Sequence, residues 1–377
     1  MTDADPAAIR AAVNILRNGG LVAFATETVY GLGADATNPE AIRRVYQAKG
    51  RPPTNPLIVH VIDEAMAMRY TTHWPVAAQI LARAFWPGPL TLVVPRGPSI
   101  APQVSADLDT IGVRSPNHAL AQSLLRAFDG PIAAPSANRS NRISPTTAEH
   151  VRAELGDAVD LILDGGACQV GIESTVVDVS STRPAILRPG SITAAQIADL
   201  IGDIETGERR SEFSQPAASP GQHLVHYAPR TPAFRFTSAQ ADRVIRRCQE
   251  ETCSVAIVLL ERQMGDTIVA ALPPGTPGEG QGGGQTAESR STGIQHPQTT
   301  RPPPQPSPGV PGEGERSRRV VIMPRDPQQY AQRLYAILHE LDAGGFTAIW
   351  IELPQDEPAW AAVRDRILRA TNDYLPG

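Results

Sequence analysis

Charged and hydrogen-bonding side chains crowd where apolar, β-rich runs give way to turns. Lys49 and Arg51 stand in KGRPPTNPLIVH (49–60), Ser136 and Asn138 in PSANRSNRISPT (135–146), and Arg114 within TIGVRSP (110–116). The stretches ATETVYGLG (25–33), GIEST (171–175) and LRPG (187–190) repeat the pattern. Basic groups beside hydroxyls and amides are what a pocket for phosphates and a zwitterion requires. Prolines around Lys49/Arg51 and Ser136/Asn138 fix the backbone and preorganise those groups. Singly, most have plainer readings. Lys49 and Arg51 suit a solvated helix end, Ser136 and Asn138 are turn formers, and His60 in LIVHVI reads as a core histidine. Arg114 is harder to dismiss, because a guanidinium inside an apolar strand needs an anion. There is no Walker A loop, GxSxG elbow or HExxH site. GLG at 31–33 lacks the third glycine of a dinucleotide fingerprint and reads as a tight turn.

These residues need a scaffold. Strands are expected at 21–26, 57–62, 91–96, 110–115, 131–136, 159–163, 174–179 and 185–189, separated by amphipathic helices. Asn38-Pro39 opens a helix over EAIRRVYQAK, and Thr146/Glu149 and Thr193/Gln196 have capping-box spacing. Adjacent strands without intervening helices point to a mixed sheet over residues 1–205. A polar connector, 206–232, contains SQPAASPGQHLVHYAPRTP. A smaller parallel α/β unit follows over 233–377, with strands at 233–237, 254–260, 319–324 and 346–353. Its clearest helix places Leu334, Ile337, Leu338 and Leu341 on one face before a glycine stop at 344–345. Residues 273–318 are rich in Pro and Gly and are expected to be disordered, as they bury too little apolar surface.

Composition narrows the classes. The 377 residues carry a net charge of −5 and 41% hydrophobic residues, so no global basic signature marks a nucleic-acid binder. Three cysteines without metal spacing suit free thiols in a reducing cytoplasm. The N-terminus lacks a signal peptide's pattern, and no apolar run is long enough to span a membrane. A cytoplasmic protein is expected.

The motifs TETVYGLG, KGRPPTNPLIVH, FWPGPLTLVV, GVRSPNH, APSANRS, SPT, GIESTVVD and LRPG occur in one order. That series closely resembles the threonylcarbamoyl-AMP synthase family, and SPG…HYAP with the second unit resembles its long two-domain form. The resemblance implies a YrdC-like α/β fold, a twisted mixed or antiparallel sheet around a concave basic cavity, plus a small Rossmann-like lobe. It implies an enzyme, a nucleotidyltransferase, that joins L-threonine, bicarbonate or CO2 and ATP into L-threonylcarbamoyl-AMP and pyrophosphate, for transfer onto tRNA. Mg2+ would enter on the ATP phosphates. The downstream partner would be the tRNA threonylcarbamoyl transferase complex, with RNA, including double-stranded RNA, a further candidate.

By the same resemblance, Lys49, Arg51, Ser136 and Asn138 form the catalytic tetrad of the nucleotide pocket. Asn55, Thr110, Ser144, Arg188 and Tyr227 would complete ATP binding. Thr28, His60, Arg114, the Ala134 backbone and Ser174 would surround threonine, Arg114 pairing its carboxylate. The SPG–HYAP connector would act as a lid. The chain departs from the family's pattern at Ala25 (usually proline), at Asn141 (usually glycine), and at GQHL in the connector. Two other readings stand beside this one. A carbamoyl-adenylate-forming domain of the hydrogenase-maturation type shares the fold, but its additional acylphosphatase-like and zinc-finger regions have no counterpart here. An RNA-binding module would use the same concave surface, against which the acidic balance speaks.

Overall fold

In a computed structural model, residues 5–206, 227–250, 254–261 and 318–373 are described. The expectations of a lid over most of the connector and of disorder in the Pro/Gly segment fall outside them. The first lobe runs α1 (Pro6–Arg17), β1 (Val22–Phe24), β2 (Gly31–Asp35), α2 (Pro39–Lys49), β3 (Ile58–His60), α3 (Glu64–Arg69) and α4 (Val76–Phe85). It continues with β4 (Leu90–Pro95), β5 (Thr110–Arg114), α5 (Ala119–Phe128), β6 (Ile132–Ala133), α6 (Ala148–Leu155) and β7 (Leu161–Leu163). It ends with β8 (Thr175–Asp178), β9 (Ala185–Arg188), α7 (Ala194–Ile201) and β10 (Glu205–Thr206). These ten strands form one mixed sheet, in the order β10-β9-β8-β4-β5-β3-β6-β2-β1-β7.

Helices cover both faces. Ile9, Val13 and Leu16 of α1 pack with Leu120, Leu124 and Phe128 of α5 against Val22, Phe24 and Ile132. On the other face Ile42 and Val45 of α2, Leu81 of α4, Val151 of α6 and Ile197 of α7 enclose Ala23, Leu32, Val59 and Leu92. Burying a large aliphatic side chain contributes about 1.5–3 kcal/mol, so these two layers dominate the stability of the lobe.

The second lobe comprises β11 (Ala233–Phe236), α8 (Ala241–Glu250), β12 (Val255–Leu260), β13 (Arg318–Met323), α9 (Pro327–Ala343), β14 (Ala348–Glu352), α10 (Ala361–Ala370) and β15 (Asn372–Asp373). Its sheet, β13-β12-β14-β11-β15, is parallel throughout. Leu334, Leu338 and Leu341 are buried along one face of α9 and Gly344 caps its end, as the spacing predicts.

Two expectations are corrected. GLG at 31–33 is not a tight turn but the start of β2, an interior strand paired with β1 and β6. Its glycines permit close packing: a Cβ on Gly33 would come within 2.8 Å of Phe24 Cε1 and 2.9 Å of Ile132 Cγ2. The cap of α6 is Thr147, which accepts from the His150 amide, rather than Thr146. Thr146 instead lies buried, its hydroxyl 3.4 Å from His150 Nδ1. The Thr193/Gln196 capping box forms as expected. Among the described residues no helix is long and apolar enough to cross a membrane.

Candidate active site

The site begins at the end of α2. Asn38 caps the helix, accepting from the Glu40 and Ala41 amides, with Pro39 at its first turn. Gly50 closes it in a left-handed conformation (φ +58°), which turns Lys49 and Arg51 inward instead of into solvent. Both are buried, which excludes the solvated helix end. The Lys49 ammonium donates to the Ser136 and Asn138 carbonyls and so ties down the loop after β6. The Arg51 guanidinium donates to Asn55 O (2.9 Å), Asn55 Oδ1 (2.6 Å) and Pro56 O (2.8 Å).

One cavity of about 510 Å3, including its open mouth, is lined by Thr28, Arg51, His60, Arg114, Ala134, Ser136, Ser174, Arg188 and Tyr227 among the expected residues. Its floor is a sheet face rather than only strand ends. Ile58 and His60 project to one side of β3 by the two-residue strand period, and His60 lies in register with Arg114 of β5. The remaining wall comes from the loops after β1 and β6, the segment before β8, and Arg188 at the end of β9.

Five expected residues do not line the cavity. Lys49, Asn55, Asn138 and Ser144 form its backing. Asn138 Nδ2 donates to the Arg139 and Arg142 carbonyls, both at 2.8 Å, and Ser144 Oγ donates to Glu173 Oε1 at 2.5 Å. Thr110 begins β5, about 13 Å along the strand from Arg114 at the ordinary rise per residue.

Electrostatics divide the cavity in two. On one side Arg51 and Arg188 face the same space. Burial pushes the Arg51 guanidinium down to about 10, and the charge of Arg188 adds to the effect. Lys49, behind them, is held well below its ordinary value by burial and then by Arg51. Like charges kept this close, away from water, call for an anion. On the other side Arg114 is neutralised within the protein: its Nη2 lies 2.7 Å from Glu27 Oε1, both side chains being about 5% exposed. Arg114 also donates to Thr28 Oγ1 (2.9 Å) and Gly88 O (3.3 Å). Thr28 Oγ1 is 2.9 Å from Thr26 Oγ1, whose own hydroxyl donates to Val29 O at 2.6 Å. His60 stays neutral, burial and then Arg114 pushing its pKa down to about 3.

The sequence reading missed two carboxylates. Glu27 supplies the anion for Arg114. Glu173 lines the cavity and receives Arg366 Nε (2.8 Å) and the Tyr335 hydroxyl (2.9 Å), both from the second lobe. Their signal was a charge inside otherwise buried motifs, TETV and GIEST. Arg366 and Tyr335 sit in ordinary amphipathic helices and gave none.

No cluster of three or more His, Cys, Asp or Glu side chains able to hold a metal occurs among the described residues. Glu173, the carboxylate on the cavity wall, is fully engaged by protein donors.

Known proteins resemble this chain in both sequence and fold. A family model described as "Telomere recombination" matches residues 14–190, and one described as "Threonylcarbamoyl-AMP synthase, C-terminal domain" matches 192–372. The threonylcarbamoyl-AMP synthase of Bacillus subtilis is 46% identical over 65% of this chain and 71% of its own. That of Schizosaccharomyces pombe is 33% identical over 98% of this chain and 90% of its own. The crystal structure of P. abyssi Sua5 complexed with L-threonine superposes with a TM-score of 0.77, at 29% identity, over 97% of this chain and 96% of that one. The two family models and the relative matched over nearly the full length of both chains thus place this chain in the threonylcarbamoyl-AMP synthase family.

Proposed function

We propose that the cavity joins L-threonine, bicarbonate and ATP into L-threonylcarbamoyl-AMP and pyrophosphate, a nucleotidyl transfer. The observation that carries this reading is that one cavity is lined by two guanidiniums, Arg51 and Arg188, and by Arg114, which is paired with Glu27. The two guanidiniums suit phosphates and the Arg114–Glu27 pair a zwitterion. Threonine's carboxylate would sit against Arg114, and its hydroxyl and amine near Thr28, Ser174 and the Ala134 backbone.

Bicarbonate takes up a proton and loses water to give CO2; the nitrogen of the deprotonated amine bonds to its carbon and releases a proton to solvent, forming a carbamate. A carbamate oxygen then bonds to the α-phosphorus of ATP as the bond to the bridging β-oxygen breaks, and pyrophosphate leaves. Such a displacement needs in-line positioning and charge stabilisation more than a covalent nucleophile. Arg51 and Arg188 would face the developing charge, while Lys49, Asn55 and Asn138 hold the wall from behind. Ser136 offers a hydroxyl at the same rim. Mg2+ is read as part of the substrate, MgATP, and no step is assigned to it. Transfer onto tRNA would fall to a downstream complex, with the adenylate as the delivered intermediate.

Titration of L-threonine and L-serine into the full-length chain tests the assignment of the amino-acid pocket. Threonine should bind more tightly than serine, and Arg114→Gln should weaken threonine binding at least about tenfold, as expected for a lost charge-assisted contact. Equal binding of both amino acids to the wild type, or an unaffected Arg114→Gln variant, would remove threonine from this pocket.

A further inference from the structure

The second lobe reaches into the wall of the first. Arg366, on α10, is fully buried and touches three strips of that wall. Its Nε and Nη2 bind the side chain and carbonyl of Glu173 (2.8 and 3.3 Å), and Nη1 donates to the carbonyl of Pro189, next to Arg188, at 3.0 Å. Its guanidinium also stands 5.4 Å over the ring of Tyr227. Tyr335 of α9 completes the grip, its hydroxyl on Glu173 Oε2 and its ring 5.6 Å from that of Tyr227.

Glu173 faces the cavity that Arg51 and Arg188 line. Unpaired, its carboxylate would cancel one of those two charges and draw Arg188 toward itself. Arg188 already reaches this segment, donating from Nε to Ser174 O (3.1 Å) and from Nη2 to Ser174 Oγ (3.2 Å). Arg366 acts on Glu173 ahead of Arg188, supplying the larger share of opposing charge from outside the cavity. It can do so because its other carboxylate neighbour, Asp365, is also bonded by Arg369 at 2.8 Å.

We propose that Arg366 is a positioning residue for the anion half of the site, neutralising and anchoring Glu173 so that the Arg51–Arg188 wall keeps its positive charge. The second lobe thereby becomes part of the nucleotide site without touching the nucleotide. The inference rests on the reading of this cavity as the ATP site.

The test is steady-state pyrophosphate release by the full-length chain, with ATP and threonine varied separately and the denaturation midpoint recorded. Arg366→Gln should raise KM for ATP at least about tenfold through the uncompensated buried carboxylate, with a smaller change for threonine. Glu173→Gln combined with Arg366→Gln removes that carboxylate and should recover most of the lost ATP affinity. A role in lobe docking alone predicts no recovery in the double variant and a parallel rise of both KM values, which would overturn the proposal. Should Arg366→Gln fail to fold, the double variant and Tyr335→Phe decide. Tyr335→Phe should raise KM for ATP about threefold with threonine unaffected, as one hydrogen bond to the carboxylate is lost. An unchanged KM in Tyr335→Phe together with an inactive double variant would sink the idea. A wild type that releases no pyrophosphate would instead strike the ATP reading itself.

Discussion

Replacing Gly171 by alanine should separate the two lobes at the edge of the active site. Gly171 has φ +77°, and a Cβ there would lie 2.5 Å from Gln332 Cα, 2.6 Å from Gln332 O and 2.7 Å from Ala331 O. All three atoms are backbone of α9, so no side chain can swing away. Helix α9 would have to retreat by at least half an ångström to reach a 3.0 Å approach. It carries Tyr335 and His339, whose bonds to Glu173 Oε2 and Ser144 O (2.9 and 3.1 Å) would lengthen. The left-handed alanine costs about 1–2 kcal/mol, and overpacking a close contact typically costs about 1–3 kcal/mol more. The combined loss is then about 2–5 kcal/mol. Gly166 provides the control, because it has φ +80° with nothing within 4 Å of its would-be Cβ. Gly166→Ala should therefore lose only the backbone part. Urea denaturation of the full-length chain measures both, with Trp350 and Trp360 reporting on the second lobe and Trp74 and Trp86 on the first. If Gly171→Ala is no less stable than Gly166→Ala, the close packing of α9 on the GIEST loop is refuted.

Two other perturbations have signs that can be worked out. Glu27→Gln leaves Arg114 buried without its anion and should cost about 3 kcal/mol of stability. Added threonine should raise the melting temperature of Glu27→Gln more than that of the wild type, because the substrate carboxylate replaces the missing charge. An equal rise in both would disconnect Glu27 from the amino-acid pocket. His150 and His339 stack at the lobe interface with ring centroids 3.8 Å apart, flanked by Glu149, Arg142 and Asp342. Burial pushes both to about 4, with His339 adding to the effect on His150. The folded state thus binds fewer protons than the unfolded one, whose histidines titrate near 6.5. Their contribution is fully present above pH 6.5 and is lost as pH falls toward 4. For two half-buried rings that loss is about 2–3 kcal/mol. His339→Asn should flatten the stability–pH curve in that window, and an unchanged slope would rule the pair out as its cause.

Much of the scaffold was legible because periodicity reports burial. Every expected strand of the described residues appears, most of them shortened by a residue or two, β6 by three at its C-terminal end, and β4 and β13 shifted by one residue toward the N-terminus. β2 escaped because GLG was read from backbone freedom alone. Its glycines are small for packing: the sheet runs close under Phe24 and Ile132, which no local pattern encodes. At Asn141, where the family pattern has glycine, the backbone is left-handed (φ 64°). Asparagine is among the residues that tolerate this conformation best, so the departure keeps the turn. The cationic residues of the site could be named from their motifs, but what compensates them could not. Glu27 and Glu173 are local, each next in sequence to a residue already singled out, Thr28 and Ser174. Arg366 and Tyr335 lie some 160–190 positions from Glu173 in sequence, and only the docking of the second lobe brings them to the wall.

Pyrophosphate release from MgATP by the full-length chain, with L-threonine and bicarbonate each present or omitted and L-serine as a substitute, tests the central claim most directly. The account predicts release only when both threonine and bicarbonate are supplied, with serine a poor replacement. Release independent of threonine, or none under any combination, would contradict it.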